Sequence, residues 1–218
     1  MKTSIKTLLA VAALGAASLA NAALIPNMGK VTITDTTFDG GGGSLNIGGG
    51  EFRADITGGP SFYTFCLKID EQIAFGIEFD YELRTATSPS NDVLSKGTAM
   101  LFESFTRGNL YDRDGSAAHE ESAGFLQAAI WMLEDENYAP FVSGAAEAMF
   151  FTASNPYIQK VVSTFGSLAA AKSDYTDGKV KVMDLSFQGE PYQDLLVYVP
   201  DAGSTLALLG LGLAGVAI

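Results

Sequence analysis

The hydrophobic period of this chain changes twice, and no other feature narrows its possible folds as far. From Lys30 to Phe38, Val31 and Ile33 alternate with Thr32, Thr34 and Thr36, the β-branched pattern of a strand. The glycines 40–43 and 48–50 punctuate the next stretch around Leu45 and Ile47, after which Phe52, Ala54 and Ile56 share one face. Phe62 to Asp70 alternates again, and Ile73, Phe75, Ile77, Phe79 and Tyr81 form a stripe opposed by Glu78, Asp80 and Glu82, which predicts a half-buried strand. The spacing then becomes helical. Leu94, Thr98, Leu101, Phe102 and Phe105 lie on one face, Phe125, Leu126, Ala129, Ile130 and Leu133 on another, and Ile158, Val161, Val162, Phe165 and Leu168 on a third. A short further helix is expected over 145–151, stopped by Asn155-Pro156. Strand pattern returns at 179–187 and 194–199, with Asp177-Gly178 as a turn. The expected class is α+β: a β-sandwich or barrel formed by strands within 30–82 and 179–199, with a helical lobe, 94–172, inserted between them.

Both ends read as addresses rather than as core. Lys2 and Lys6 precede an apolar run, Leu8 to Leu19, and Ala20-Asn21-Ala22 is a small-x-small cleavage site, so 1–22 is expected to be a secretory signal peptide cut between Ala22 and Ala23. At the other end, Val199-Pro200-Asp201-Ala202-Gly203-Ser204-Thr205 precedes an uncharged run, Leu206 to Ile218, with no polar face to turn to water. The segment 199–218 resembles the C-terminal sorting signal of PEP-CTERM proteins in its Val-Pro-Asp-x-Gly-Ser-Thr variant. That resemblance implies recognition of Val199, Pro200, Asp201, Gly203, Ser204 and Thr205 by an exosortase-type membrane enzyme, and a mature protein at or outside the cell surface. The apolar run is shorter than the ~20 residues needed to span a bilayer, so the expected attachment through this apolar sorting helix is transient.

Between the two addresses, 23–198 is long enough for one well-buried domain. The 25 acidic residues outnumber the 13 basic ones, for a formal charge of −12. Loss of Lys2 and Lys6 with the signal makes the mature chain more negative still. Such a surface repels phosphate and removes the main driving force for nucleic-acid binding. Cys66 is the single cysteine, so no intrachain disulfide can form, and a lone thiol in an exported protein calls for a reason.

If Phe62 to Asp70 is a strand, Tyr63, Phe65, Leu67 and Ile69 face the sheet core, and Cys66 is presented on the other side with Thr64 and Lys68. Downstream, Gly124-Phe125-Leu126-Gln127-Ala128-Ala129-Ile130-Trp131 opens an amphipathic helix on which Gln127 shares a side with Trp131 and Glu134, away from the Phe125, Ala129 and Leu133 face. The cysteine and the glutamine are thus expected to meet where the two lobes join. Phe65-Cys66-Leu67 and Leu126-Gln127-Ala128-Ala129-Ile130, with Trp131 following, resemble the two short motifs of the thioester domains of bacterial surface adhesins. The resemblance implies a β-domain with a helical insertion and an internal bond between Cys66 and Gln127: the cysteine sulfur attacks the side-chain amide and expels ammonia, leaving a γ-glutamyl thioester that survives only where water is excluded. Tyr63, Phe65 and Trp131 are the candidate shield. An amine on a target surface would then take the acyl group and free Cys66, making the protein a single-turnover covalent anchor rather than an enzyme. The alternative is a noncovalent structural or polysaccharide-binding module of the envelope or matrix, with Cys66 as packing.

Other constellations are weaker. His119 with Cys66 suggests a Cys/His hydrolase, but a catalytic thiolate needs a helix N-terminus or a positioned base, and His119 is expected in an acidic loop, 112–121. Asp112-x-Asp114-Gly115 hints at weak calcium binding, yet Ala117 and Ala123 stand where an EF-hand needs Gly and Glu. Glu134-Asp135-Glu136 is expected to be a solvated helix end, and the glycines 40–43 lack the Lys-Ser/Thr of a phosphate loop. No resident metal or cofactor is expected. Exported material should begin at Ala23; N-terminal sequencing that returned Met1 from outside the cell would remove the signal peptide from this account.

Overall fold

Alternating burial builds the sheet. β1 (Met28–Asp35) buries Val31 and Ile33, β2 (Phe52–Ile56) buries Phe52, Ala54 and Ile56, and β4 (Glu78–Arg84) buries Phe79, Tyr81 and Leu83 while its acidic residues face out. β3 (Ser61–Thr64), β5 (Val180–Phe187), β6 (Glu190–Pro191) and β7 (Leu195–Tyr198) complete it. The order is β3-β2-β1-β4-β5, every pairing antiparallel, with β6 and β7 both paired to β5. The chain leaving β3 then bonds to β7. Leu67 N–H donates to Asp194 O at 2.9 Å, Leu196 N–H to Phe65 O at 3.2 Å, and the Thr64 hydroxyl to Leu196 O at 2.6 Å. In this computed structural model the described residues are 25–35, 49–88, 90–142, 144 and 148–199. The expected signal peptide with Ala22 and Ala23, the glycines 40–43, Leu45 and Ile47, the expected sorting residues Pro200, Asp201, Gly203, Ser204 and Thr205, and the apolar run after them lie outside these residues.

Among the described residues, four named helices lie between β4 and β5 in sequence. α1 (Lys96–Thr106) is capped by the Ser95 hydroxyl and buries Leu101, Phe102 and Phe105. α2 (Ala117–Leu133) is capped by Ser116 and carries apolar side chains nearly all round its second half, so that Leu126 through Trp131 are buried without a break, as a helix in the middle of a core must be. α3 (Pro156–Phe165) starts on Asn155, whose side chain accepts from Tyr157 N and Ile158 N, with Pro156 in the first turn where no N–H is required. Gly166, at φ +82°, ends it, and α4 (Leu168–Ala171) is a single turn. Helices and sheet share one core: Phe65 and Leu67 from the β3 continuation and Val182 and Leu196 from β5 and β7 pack with Phe102 and Leu126. Among the described residues no helix is long and apolar enough to cross a membrane.

The α+β class holds, while several local expectations do not. The strand expected over Phe62 to Asp70 ends at Thr64; beyond it Cys66 makes only an isolated bridge to Leu195. Both sides of this segment are covered, Phe65 and Leu67 as well as Cys66 being buried, so Cys66, with 1 % of its surface exposed, does not point out to solvent. Only the second half of the stripe from Ile73 to Tyr81 is strand: Gly76 turns the chain at φ +74°, donating its N–H to Ile33 O, and Phe75 remains on the surface. The acidic segment 112–121 is a helix start, since Ser116 accepts from His119 N and α2 already runs from Ala117. The third helical face is split at Gly166, and Asn155-Pro156 also begins α3; of the short helix expected over 145–151, residues 145–147 lie outside the described ones, while Ala148 is helical and donates its N–H to Gly144 O at 2.9 Å.

The junction of β7 with the β3 continuation holds a buried acid. Asp194 accepts Ser88 N–H at Oδ2 (3.0 Å), whereas Oδ1 has no partner among the described residues. Burial, assisted by the charges of Glu71 and Asp184, pushes its carboxyl up to about 7 from 3.8. Burial also raises Glu71, Asp184 and Glu134. A raised carboxyl means that the folded state holds a proton the unfolded chain has released, so this contribution is complete in acid and is lost as pH rises through about 7. The denaturant midpoint should therefore be higher at about pH 5 than at about pH 8, and Asp194→Asn should remove roughly 1–3 kcal/mol of that difference. Equal pH slopes for the two proteins would clear Asp194 of the effect.

Candidate functional site

In the β2–β3 ladder Phe52 pairs with Thr64 and Arg53 with Tyr63. Continued two residues past Phe52, the same register would pair Gly50 with Cys66. The side chain of Gln127 occupies that place. Its Oε1 accepts Cys66 N–H at 3.0 Å and Gly50 N–H at 3.3 Å, and its Nε2 donates to Cys66 O at 2.8 Å. A carboxamide has the donor and acceptor of a peptide group, so it satisfies both backbone groups of Cys66 as a strand residue would. The next residues along, Phe65 and Leu67, turn their bonds the other way, to β7. Gln127 is fully buried, and no water is needed to complete these bonds.

The helix supplies this side chain by its periodicity. His119, Ala123, Gln127 and Trp131 follow at four-residue intervals on α2, all buried, and the segment 49–51 lies along them. A Cβ added to Gly49 would stand 2.3 Å from Trp131 Cη2 and 2.8 Å from Gln127 Cγ, so only glycine lets the chain approach this closely. Gly50 has φ +151°, also in glycine's territory. Glu51 anchors the segment on the previous turns: it accepts the Tyr111 hydroxyl at 2.8 Å and lies 3.3 Å from His119 Nε2 and 3.7 Å from Arg113 Nε. His119 Nδ1 accepts Gly115 N–H at 3.2 Å, which leaves the proton on Nε2, facing Glu51.

Cys66 and Gln127 are therefore brought together, whereas the three shielding candidates separate. Trp131 packs on Gly49 above the carboxamide and stacks on Phe151, which in turn stacks on Tyr138. Its Nε1 is buried and has no partner among the described residues. Phe65 meets Phe105 edge-on in the main core, and Tyr63 lies against the Arg113 guanidinium, which also covers Phe105. His119 is committed to Glu51 and Gly115, so the Cys/His pairing has no structural counterpart. Asp114 accepts Ser116 N–H at the start of α2, and no group of three His, Cys, Asp or Glu side chains suited to a metal occurs among the described residues. Of 134–136 only Asp135 is solvated as expected: Glu134 accepts Ser95 N–H, and Glu136 pairs with Lys68 and accepts Ile69 N–H, both carboxylates being largely buried. Gly49 and Gly50 are the residues that sequence reasoning passed over; read as turn punctuation, they are the point where two strands part around a side chain.

Two electrostatic features bear on reactivity. Burial, with a smaller contribution from the charge of Glu71, pushes the Cys66 thiol up, so that it is a thiol and not a thiolate at neutral pH. The Gln127 carbonyl oxygen, by contrast, receives two backbone N–H groups. Converging donors of this kind stabilise the negative charge that develops on an acyl oxygen under attack.

Residues 198–218 match the VPDSG-CTERM motif, which supports a sorting tail of the PEP-CTERM kind and, with it, an exported, surface-associated protein. Processing by an exosortase-type enzyme is consistent with that tail. No curated protein and no solved structure matches the chain. Gly49→Ala tests the site's geometry directly: it should cost roughly 1–3 kcal/mol in chemical denaturation, and an unchanged midpoint would mean that the segment 49–51 can lift off α2 freely.

Proposed function

We propose that this is an exported attachment protein of the cell surface or extracellular matrix that forms an internal thioester between Cys66 and Gln127 and uses it once to capture an amine. The observation that carries the reading is the placement of the Gln127 carboxamide on the backbone of the one residue that bears a thiol, with its carbonyl oxygen held by Cys66 N–H and Gly50 N–H. In the forming step the sulfur adds to Gln127 Cδ, the C–N bond breaks, and the thiol proton leaves with the nitrogen as ammonia. A neutral thiol suits this balance, since its own proton completes the leaving group. The two N–H groups hold the oxygen throughout, and burial of both residues keeps water from the product. In the capture step an amine adds to the same carbon, the C–S bond breaks, and Cys66 regains its proton. Trp131, by its packing on Gly49, is the shield in this scheme.

The surrounding architecture is read in the same terms. Hydrogen bonds from the β3 continuation to β7 make the sheet a barrel-like closure, with the helical lobe docked where Gln127 enters it. Residues 1–22 act as the signal peptide, and the C-terminal segment delivers the domain to the surface. A second reading draws on the raised thiol: Cys66 is inert packing, Gln127 is a structural brace between strands, and the domain binds a surface polysaccharide noncovalently.

Intact mass of freshly purified protein separates the two. The thioester predicts a mass short by one ammonia, restored to its expected value in Cys66→Ser and in Gln127→Ala, and a gain of one nucleophile with methylamine that makes Cys66 alkylatable. Full sequence mass in fresh wild-type protein, with no methylamine adduct, would leave the noncovalent module.

A further inference from the structure

β7 meets the chain leaving β3 over a short length. β1 and β2 share a ladder of five residue pairs. Among the described residues, the seam at β7 consists of the backbone bonds from Leu67 N–H to Asp194 O and from Leu196 N–H to Phe65 O, reinforced by the side chains of Thr64 and Gln193. Asp194 stands at its head and is tied three ways: its backbone oxygen accepts Leu67 N–H, its own N–H donates to Glu71 Oε2 at 2.8 Å, and its Oδ2 accepts Ser88 N–H at 3.0 Å. The residue is 1 % exposed, yet Oδ1 has no partner among the described residues. A neutral carboxyl tolerates one unbonded oxygen at modest cost, whereas a buried carboxylate does not. We infer that Asp194 is the latch of this seam: its ionisation withdraws the head of β7 from the Cys66 segment, so that the seam is closed in mild acid and opens locally as the medium turns alkaline. Cys66 bridges Leu195 within the same seam, so the latch also governs how far Cys66 is exposed, whether or not it is bonded to Gln127.

The charged groups around Asp194 do not relieve it. Glu71, from the loop after the Cys66 segment, and Asp184, from β5, are themselves acidic, and Arg84 is paired with Asp184 at 3.0 Å. Lys68, whose charge favours the carboxylate, is paired with Glu136 at 3.1 Å and with Asp92 at 3.6 Å. Burial and the neighbouring acids push the carboxyl up to about 7, so it titrates in an ordinary pH range. Hydration is close at hand: Ser88, whose N–H the carboxyl holds, lines a surface cavity of about 580 Å³ together with Asp184 and Arg84, which has room for many waters. Moving the carboxylate toward it carries the Asp194 backbone away from Leu67 and Glu71. The bonds lost are those of the seam, while the ladders of β1 with β2 and β4 lose none. The closed seam holds a proton that the open one releases, so closure is most favoured in acid and loses that advantage as pH rises through about 7.

Residue-resolved amide hydrogen exchange on the purified protein, corrected for intrinsic rates and repeated at low urea concentrations, locates the opening. Leu67 and Leu196 report the seam; Thr57, bonded to Lys30 O at 2.9 Å, and Leu83, bonded to Asn27 O at 2.7 Å, report the strands around β1. The expected result is that protection of Leu67 and Leu196 falls at least about tenfold between about pH 5 and about pH 8. Their exchange should barely depend on urea, as local opening requires, and Asp194→Asn should abolish the fall. Seam amides that share the protection and urea dependence of Thr57 and Leu83 at both pH values would place the effect in global unfolding and overturn the latch, a comparison that needs only the wild-type protein. A fall that persists in folded Asp194→Asn would overturn it equally, by assigning the opening to another group.

Discussion

Gln127 does the work of a strand residue from within a helix, and the rest of the structure is arranged around that substitution. β2 and β3 run in register until Phe52 and Thr64; one step further they part, and a carboxamide fills the gap with the hydrogen bonds the ladder would have made. The helix must therefore come edge-on to the sheet, deep enough for its side chain to reach the backbone of Cys66. That depth accounts for the unbroken burial of Leu126 through Trp131, for the absence of a side chain at Gly49, and for the chain of contacts from Glu51 to His119, Tyr111 and Arg113 that holds the segment 49–51 down. A polar group this deep is tolerable only because both of its ends are satisfied.

The same burial governs the chemistry and the charge. The lone thiol is kept neutral by the apolar packing that also keeps water away. The Gln127 carbonyl oxygen lies against two backbone N–H groups, one of them that of Cys66 itself, so the site combines a poor thiolate environment with a good environment for a developing oxyanion. Acidic side chains that composition alone would place on the surface are drawn in around this region. Asp194, Glu134 and Glu136 each accept a backbone N–H from a segment flanking Cys66 or α1, and the burial that raises the carboxyls of Asp194 and Glu134 in spite of those hydrogen bonds makes the fold more stable in mild acid than at alkaline pH. Their role is to tie loops to the core, and the charge they carry is the cost of doing so.

The legible parts of the fold were those decided by local periodicity. Val31 with Ile33, Phe52 with Ala54 and Ile56, and Leu101 with Phe102 and Phe105 bury as their spacing requires, because a strand or helix with one apolar face has few ways to hide it. Alternation misled at Cys66 and at Phe75 for opposite reasons. Cys66 sits between two layers, so both faces of its segment are covered and alternation loses its meaning; Phe75 precedes a glycine turn, so its stripe is broken before it can pair. Glu134 and Glu136 misled because a carboxylate near a helix end looks solvated until one knows which backbone N–H groups lie within reach.

By itself the sequence determined the α+β class, the alternating and helical segments that enter the core, the residue types available for acyl chemistry, and the C-terminal sorting motif. Each is carried by neighbours along the chain or by composition. Only the tertiary structure decided that Gln127 meets the backbone of Cys66, that Gly49 and Gly50 make room for it, and that His119 serves Glu51 instead of a thiol. These are encounters between residues far apart in sequence, set by where a strand ladder opens and how deeply a helix is inserted, and neither quantity is written in the spacing of the residues themselves.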